Sequence, residues 1–229
     1  FRLPASGSAP VSPATQSYTH TQTTRRPLPT SDSTALATQA YTPDAADHLV
    51  AGDAHHIQFV SNPIAVQNLS AQVVKLNVQA LEANAGNNLF IQVWIGLYNN
   101  AGTTLLATLL SKTLDGLELA TTLNSRTMAP TTTGYNMAAG DNGARIVVEI
   151  SVSGTPTAAG GTQGHNASIR FGANGAGGDL TETDNQTGTT LNPWLEFANT
   201  IVFYDRVGQV SWVEFETPTA PRRGQVSWS

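Results

Sequence analysis

From about residue 56 to residue 204, short apolar runs alternate with loops rich in Gly, Thr and Asn. In ARIVVEISV (144–152) the alternation is strict: Ile146, Val148 and Ile150 share one face of an extended strand, and Val147, Glu149 and Ser151 the other. That is the period of two that a pleated backbone imposes. QVVKLNVQA (72–80) sets Val74, Leu76 and Val78 on one face against Lys75, Asn77 and Gln79 on the other, which predicts a strand. NLFIQVWIGLY (88–98) is denser and predicts a strand buried on both faces. HIQFVS (56–61), NASIRFG (166–172) and PWLEFANTIVFY (193–204) read as further strands. TTLLATLLS (103–111) and LELATTL (117–123) read as two more, with Asp115-Gly116 as the turn between them. Leu and Ala also favour helix, so a short helix within 104–123 is the competing assignment. Seven or eight strands so spaced predict an all-β fold, an antiparallel β-sandwich of jelly-roll type.

The flanks read differently. Residues 1–45 hold prolines at 4, 10, 13, 27, 29 and 43 among Ser, Thr and Ala, a composition that cannot form a core of its own. They are expected to form an extended arm, with the sandwich at 46–204 and a second arm at 205–229. The second arm repeats itself: GQVSW begins at Gly208 and again at Gly224, 16 residues on. Within QVSWVEFE, Val210 and Trp212 lie on one face of a strand and Val213 and Phe215 on the other. A lone strand cannot bury both faces, and the proline-rich TPTAPRR cannot continue a sheet interior. Val210, Trp212, Val213, Phe215 and Trp228 are therefore expected at an interface. The second copy stops at Ser229, which reads as the opening of a longer repeat array.

Only 12% of the residues are charged, about half the usual share. A net charge of -5 with two lysines, Lys75 and Lys112, argues against a nucleic-acid partner, which requires clustered basic side chains. A surface of Ser, Thr, Asn and Gln suits close packing of many copies, because little charge repels them. The absence of cysteine excludes disulfides and thiolate chemistry. No run of 18 apolar residues exists, so no membrane helix is expected.

Candidate chemistry is sparse. Asp53, His55 and His56 could hold a metal, but adjacent histidines on a strand point to opposite faces. DLTETDNQTG (179–188) offers Asp179, Thr181, Thr183, Asp184 and Asn185 as oxygen ligands, a calcium candidate that departs from the EF-hand pattern; the alternative is an acidic turn held by its own hydrogen bonds. Glu149 and Glu196, with Arg170, could form a glycosidase pair if the fold brought the carboxylates across a cleft. No nucleophile elbow, phosphate loop or dinucleotide fingerprint occurs. Catalytic residues and cofactors are therefore expected to be absent, calcium aside. Trp94 and Trp194 sit in dense apolar strands and read as core, whereas Trp212 and Trp228 recur with the repeat.

LPASGSAPVSPA (3–14), DNGARIVVEISV, ASIRFG, GGDLTETDNQTGTTLNPWLEF (177–197) and GQVSWVEFETP together resemble a group of tailed-bacteriophage structural proteins. The resemblance covers the first 14 residues and most of the chain after 140; between 46 and 130 it is one of pattern only. It implies a non-enzymatic virion component, with a capsid decoration or cement protein on the particle surface as the leading expectation. Partners would be other virion proteins and copies of the chain itself, as a homotrimer or higher oligomer. The alternative is a tail or fibre component whose jelly roll binds a host glycan.

Overall fold

The computed structural model describes residues 1–14, 23–31, 35–41, 53–154, 166–173, 177–188 and 190–204. Its strands are β1 (Thr23–Leu28), β2 (Ala37–Tyr41), β3 (Asp53–Ser61), β4 (Asn68–Leu69), β5 (Val74–Glu82), β6 (Leu89–Tyr98), β7 (Leu105–Leu114), β8 (Asn124–Met128), β9 (Tyr135–Asn136), β10 (Arg145–Gly154), β11 (Ala167–Phe171) and β12 (Trp194–Phe197). Among the described residues the helical content is one 3₁₀ turn, Ala139–Asp141. The chain is an all-β protein built as a sandwich.

The first sheet runs β1-β3-β10-β6-β7, antiparallel except for the parallel pair β1–β3. The second centres on β5, which pairs with β12 along Val74–Asn77, with β11 along Gln79–Glu82 and with β8 along Leu76–Ala80. Leu76 and Asn77 pair with both β12 and β8, so those two take opposite edges of β5. β2 completes this sheet outside β11, and β4–β9 is a separate short ribbon.

Alternation decides what each strand buries. Ile57 and Phe59 of β3, Ile91, Val93, Ile95 and Leu97 of β6, and Ile146, Val148, Ile150 and Val152 of β10 all point inward. They meet Val74, Leu76, Val78 and Ala80 of β5, Ile169 and Phe171 of β11, and Leu195 of β12 in one continuous core. Phe59 and Phe171 touch across the two layers, ring centroids 5.3 Å apart. The outward face of the first sheet carries a second cluster of Val60, Trp94, Tyr98 and Val147. Gly96 is required there, because the Trp94 indole lies over it: a Cβ at position 96 would stand 2.1 Å from the ring.

Several expectations need correction. Residues 105–114 form the expected strand and not the competing helix, but 117–123, also expected as a strand, is not one. That stretch crosses from the first sheet to the second, tied by Leu119 N–H to Leu89 O at 2.8 Å and Glu82 N–H to Ala120 O at 2.9 Å. The strand expected over 193–204 ends at Phe197, where Gln72 Oε1 accepts from the Asn199 amide at 2.6 Å and draws the chain off the ladder. Asn77 and Gln79, on the polar face of β5, are fully buried.

The largest difference concerns the N-terminal segment. Residue 45 does not part an arm from a body, because β1 and β2 are members of the two main sheets. Leu3 and Leu28 belong to the central core, and Leu3 O accepts from Gly172 N–H at 2.7 Å. Phe1 stacks edge-on against Phe197 and Phe203, at 5.7 and 5.8 Å. Ala9 and Val11 lie over the Trp94 cluster, and Tyr98 Oη donates to Ala14 O at 2.6 Å. A proline-rich segment makes no core by itself, yet its scattered apolar side chains fill one built by other strands.

Two substitutions test this packing. Leu3→Ala is expected to cost about 2–5 kcal/mol by leaving a buried cavity, and Gly96→Ala about 1–3 kcal/mol by overpacking against Trp94. Urea denaturation followed by tryptophan fluorescence reads both; a Leu3→Ala protein as stable as wild type would mean that the segment is not part of the core.

Candidate functional site

The outer face of β5 is polar, and a loop covers it. Residues 177–188 and 190–192 fold over the strand, their side chains and backbone supplying partners for Gln79 and for Ser125 and Thr127 of β8. Gln79 Nε2 donates to Gly188 O at 2.7 Å, and Arg170 donates to Gln79 Oε1 at 3.1 Å. Thr127 Oγ1 donates to Asn77 Oδ1 at 2.7 Å, and Asp184 accepts from Thr127 N–H at 2.9 Å. Ser125 is the second anchor: its hydroxyl donates to Thr183 O at 2.5 Å and accepts from Gln186 N–H at 2.8 Å. Asn185 takes the left-handed conformation at φ 63, which asparagine tolerates better than most residues. At the far end Leu180 N–H bonds Asn192 O and Asn192 N–H bonds Gly178 O, both at 3.0 Å.

These bonds account for the calcium candidates one by one. Asp179 forms a two-pronged pair with Arg2. Thr181 donates to Gln186 Oε1 at 3.1 Å. Thr183 is engaged through its backbone, Asp184 serves Thr127, and the Asn185 amide donates to Ser125 O at 3.0 Å. Among the described residues no three His, Asp or Glu side chains gather as a metal site. The bonds of the loop run mainly to Arg2, Gln79, Ser125 and Thr127. His55 and His56 fall in β3, but their side chains lie outside the described residues. So do the interface candidates Val210, Trp212, Val213, Phe215 and Trp228.

The carboxylate pair is separated. Glu149 is buried on the outward side of β10 in the first sheet, where it accepts from Gln58 Nε2 at 2.8 Å. Gln58 in turn accepts from Arg25 Nε at 3.1 Å. Glu196 lies in β12 of the second sheet, and Arg170 is engaged with Gln79.

Glu196 instead borders a groove of about 400 Å³, between the start of the chain, the acidic loop and β12. Arg2, Thr30, Asp179, Glu182 and Trp194 line it as well. Trp194 is half-buried, and its indole N–H donates to Leu180 O at 2.7 Å, which fixes the ring against the loop. Glu182 is bridged by Lys75 Nζ at 2.7 Å. A second compartment of about 210 Å³ adjoins it, shares Phe1, Thr30 and Glu196, and extends toward Asn199 and Phe203. Sequence reasoning missed this groove by reading Trp194 as core. The signal present was the alternation in PWLEF, which puts Leu195 inward and Trp194 and Glu196 together on the other side.

Two buried carboxyls have perturbed protonation. Glu82 is raised by burial, opposed by the Leu89 amide that it accepts from, with Glu118 adding a like charge. Asp115 is also raised, chiefly by burial, against the pull of Arg126 at 3.7 Å. A raised folded-state pKa means that the unfolded chain releases its proton first as pH climbs. Each group's contribution is thus favourable below the ordinary carboxylate range and declines as pH rises through its raised value. Urea midpoints for wild type and Glu82→Gln, compared at pH 7 and near pH 4, should show wild type gaining relative stability on acidification; parallel behaviour would refute the assignment.

No family model matches the chain, and no curated protein matches it. Among solved structures, one of the infectious bursal disease virus Gx strain is 16% identical, with a TM-score of 0.34 over 70% of this chain and 35% of that one. A CocE/NonD family hydrolase from Staphylococcus aureus is 10% identical, with a TM-score of 0.39 over 77% and 34%. An alpha-amino acid ester hydrolase is 13% identical, with a TM-score of 0.35 over 59% and 30%. The chain spans about a third of the length of each. Likenesses that shallow assign neither family nor activity.

Proposed function

We propose that this chain is a non-enzymatic structural protein of a bacteriophage virion, a capsid decoration or cement protein on the particle surface. The observation that carries the reading is the GQVSW repeat that follows a body on whose own sheets the described N-terminal residues Leu3, Val11 and Leu28 pack. The sequence that follows, 205–229, repeats GQVSW and brings Val210, Trp212, Val213, Phe215 and Trp228 in a strand pattern with apolar residues on both faces. Such a strand finds its missing neighbour by adding to a sheet edge or packing on another subunit. The sparse charge of the chain supports dense packing of copies, and the motifs at 3–14, 141–152, 167–172 and 177–197 support the phage group. Since the described residues of the N-terminal segment pack on the body, the reading assigns the link to neighbours to the tail.

The test is a deletion of 205–229. The shortened protein is expected to stay soluble and folded, with an unfolding midpoint close to that of the full chain, yet to be lost from purified particles that retain the full-length protein. Retention of the shortened protein on particles would overturn the role of the tail, and gold labelling confined to the tail of the virion would overturn the capsid location.

A further inference from the structure

We propose that the groove beside Trp194 and its adjoining compartment form a binding cleft for a neutral oligosaccharide. The inference is separate from the virion reading, since it concerns a ligand and not the place of the protein in a particle. Size comes first: about 400 Å³ in the main groove lies within the range of small-molecule sites, and about 210 Å³ more adjoins it. The shared border at Phe1, Thr30 and Glu196 makes the two one elongated depression, a shape suited to consecutive units of an oligomer.

Chemistry comes second. The carbon-bound hydrogens of a pyranose present an apolar face, which an aromatic side chain can cover, and its rim is a ring of hydroxyls that both donate and accept. The cleft offers Trp194, held in place by its bond to Leu180 O, amid Thr30, Glu196 and Asn199. Arg2 and Asp179, joined as a two-pronged pair, add fixed donors and acceptors on the same rim.

Charge decides between ligand classes. Three carboxylates line the main groove, but Arg2 balances Asp179 and Lys75 balances Glu182. Glu196 alone makes no ion pair among the described residues. A nearly balanced rim gives a basic peptide little to hold and does not favour an acidic ligand. It retains strong hydrogen-bonding groups, which suit a ligand rich in hydroxyls and without charge.

The experiment titrates the full chain with cellohexaose, maltohexaose and penta-N-acetylchitopentaose, and with hexalysine and hexagalacturonate as charged comparators, by calorimetry and saturation-transfer NMR. At least one neutral oligosaccharide is expected to bind with a Kd between about 10 μM and 1 mM, and better than either charged probe. Trp194→Ala should weaken it by about tenfold or more. Because that substitution also removes the bond to Leu180 O, two milder variants accompany it: Glu196→Gln, and Thr30→Arg, which fills the junction of the two compartments from an exposed position. Both should keep the wild-type unfolding midpoint and lose affinity severalfold. The proposal fails if no neutral probe binds at about 5 mM, if hexalysine or hexagalacturonate binds more tightly than every neutral probe, or if affinity is unchanged in both milder variants.

Discussion

Every central strand of a sandwich has two faces, and in this protein water is kept from both. The inner faces of β5, β6 and β10 meet in the shared core, as in any two-layer fold. The outer faces are the harder problem, because β5 carries Asn77 and Gln79 there and β10 carries Glu149 and Ser151, all fully buried. Burying such groups is tolerable only when each finds a partner. Irregular chain supplies part of the answer: the acidic loop over the second sheet, and residues 9–14 over the first.

That requirement explains why segments with little apolar character are nonetheless ordered. The loop at 177–188 holds few side chains that could drive its own collapse, yet Ser125, Thr127 and Gln79 give it a series of bonds in fixed register. Its bonds run to the sheet beneath it. The same loop then forms one wall of the groove, so the covering of β5 and the geometry around Trp194 are one construction.

The strands with strict alternation were legible in the sequence. ARIVVEISV and NLFIQVWIGLY correspond to β10 and β6 within a residue or two, since an apolar face of period two has few other uses. The burial of the polar side of QVVKLNVQA was not legible, because the groups that bond Asn77 and Gln79 lie 50 or more positions away in the chain. β1 and β2 were invisible for a related reason: TTRRPL and ATQAY lack a strong apolar pattern, and pairing with β3 and β11 makes strands of them. In the groove, Trp194 and Glu196 could be read as neighbours, while Arg2 and Thr30 arrive there by tertiary contact alone.

The contact of Phe1 with Phe203 brings two points 202 residues apart into edge-to-face stacking, at 5.8 Å. Phe1 and the 201–204 segment therefore meet at one corner of the sandwich. Force applied between Phe1 and Tyr204 would first load the contacts of Phe1 and Arg2 with β12 and those of 201–204 with Pro63–Ala65, while the wide ladders of β10 and β6 bore little of it.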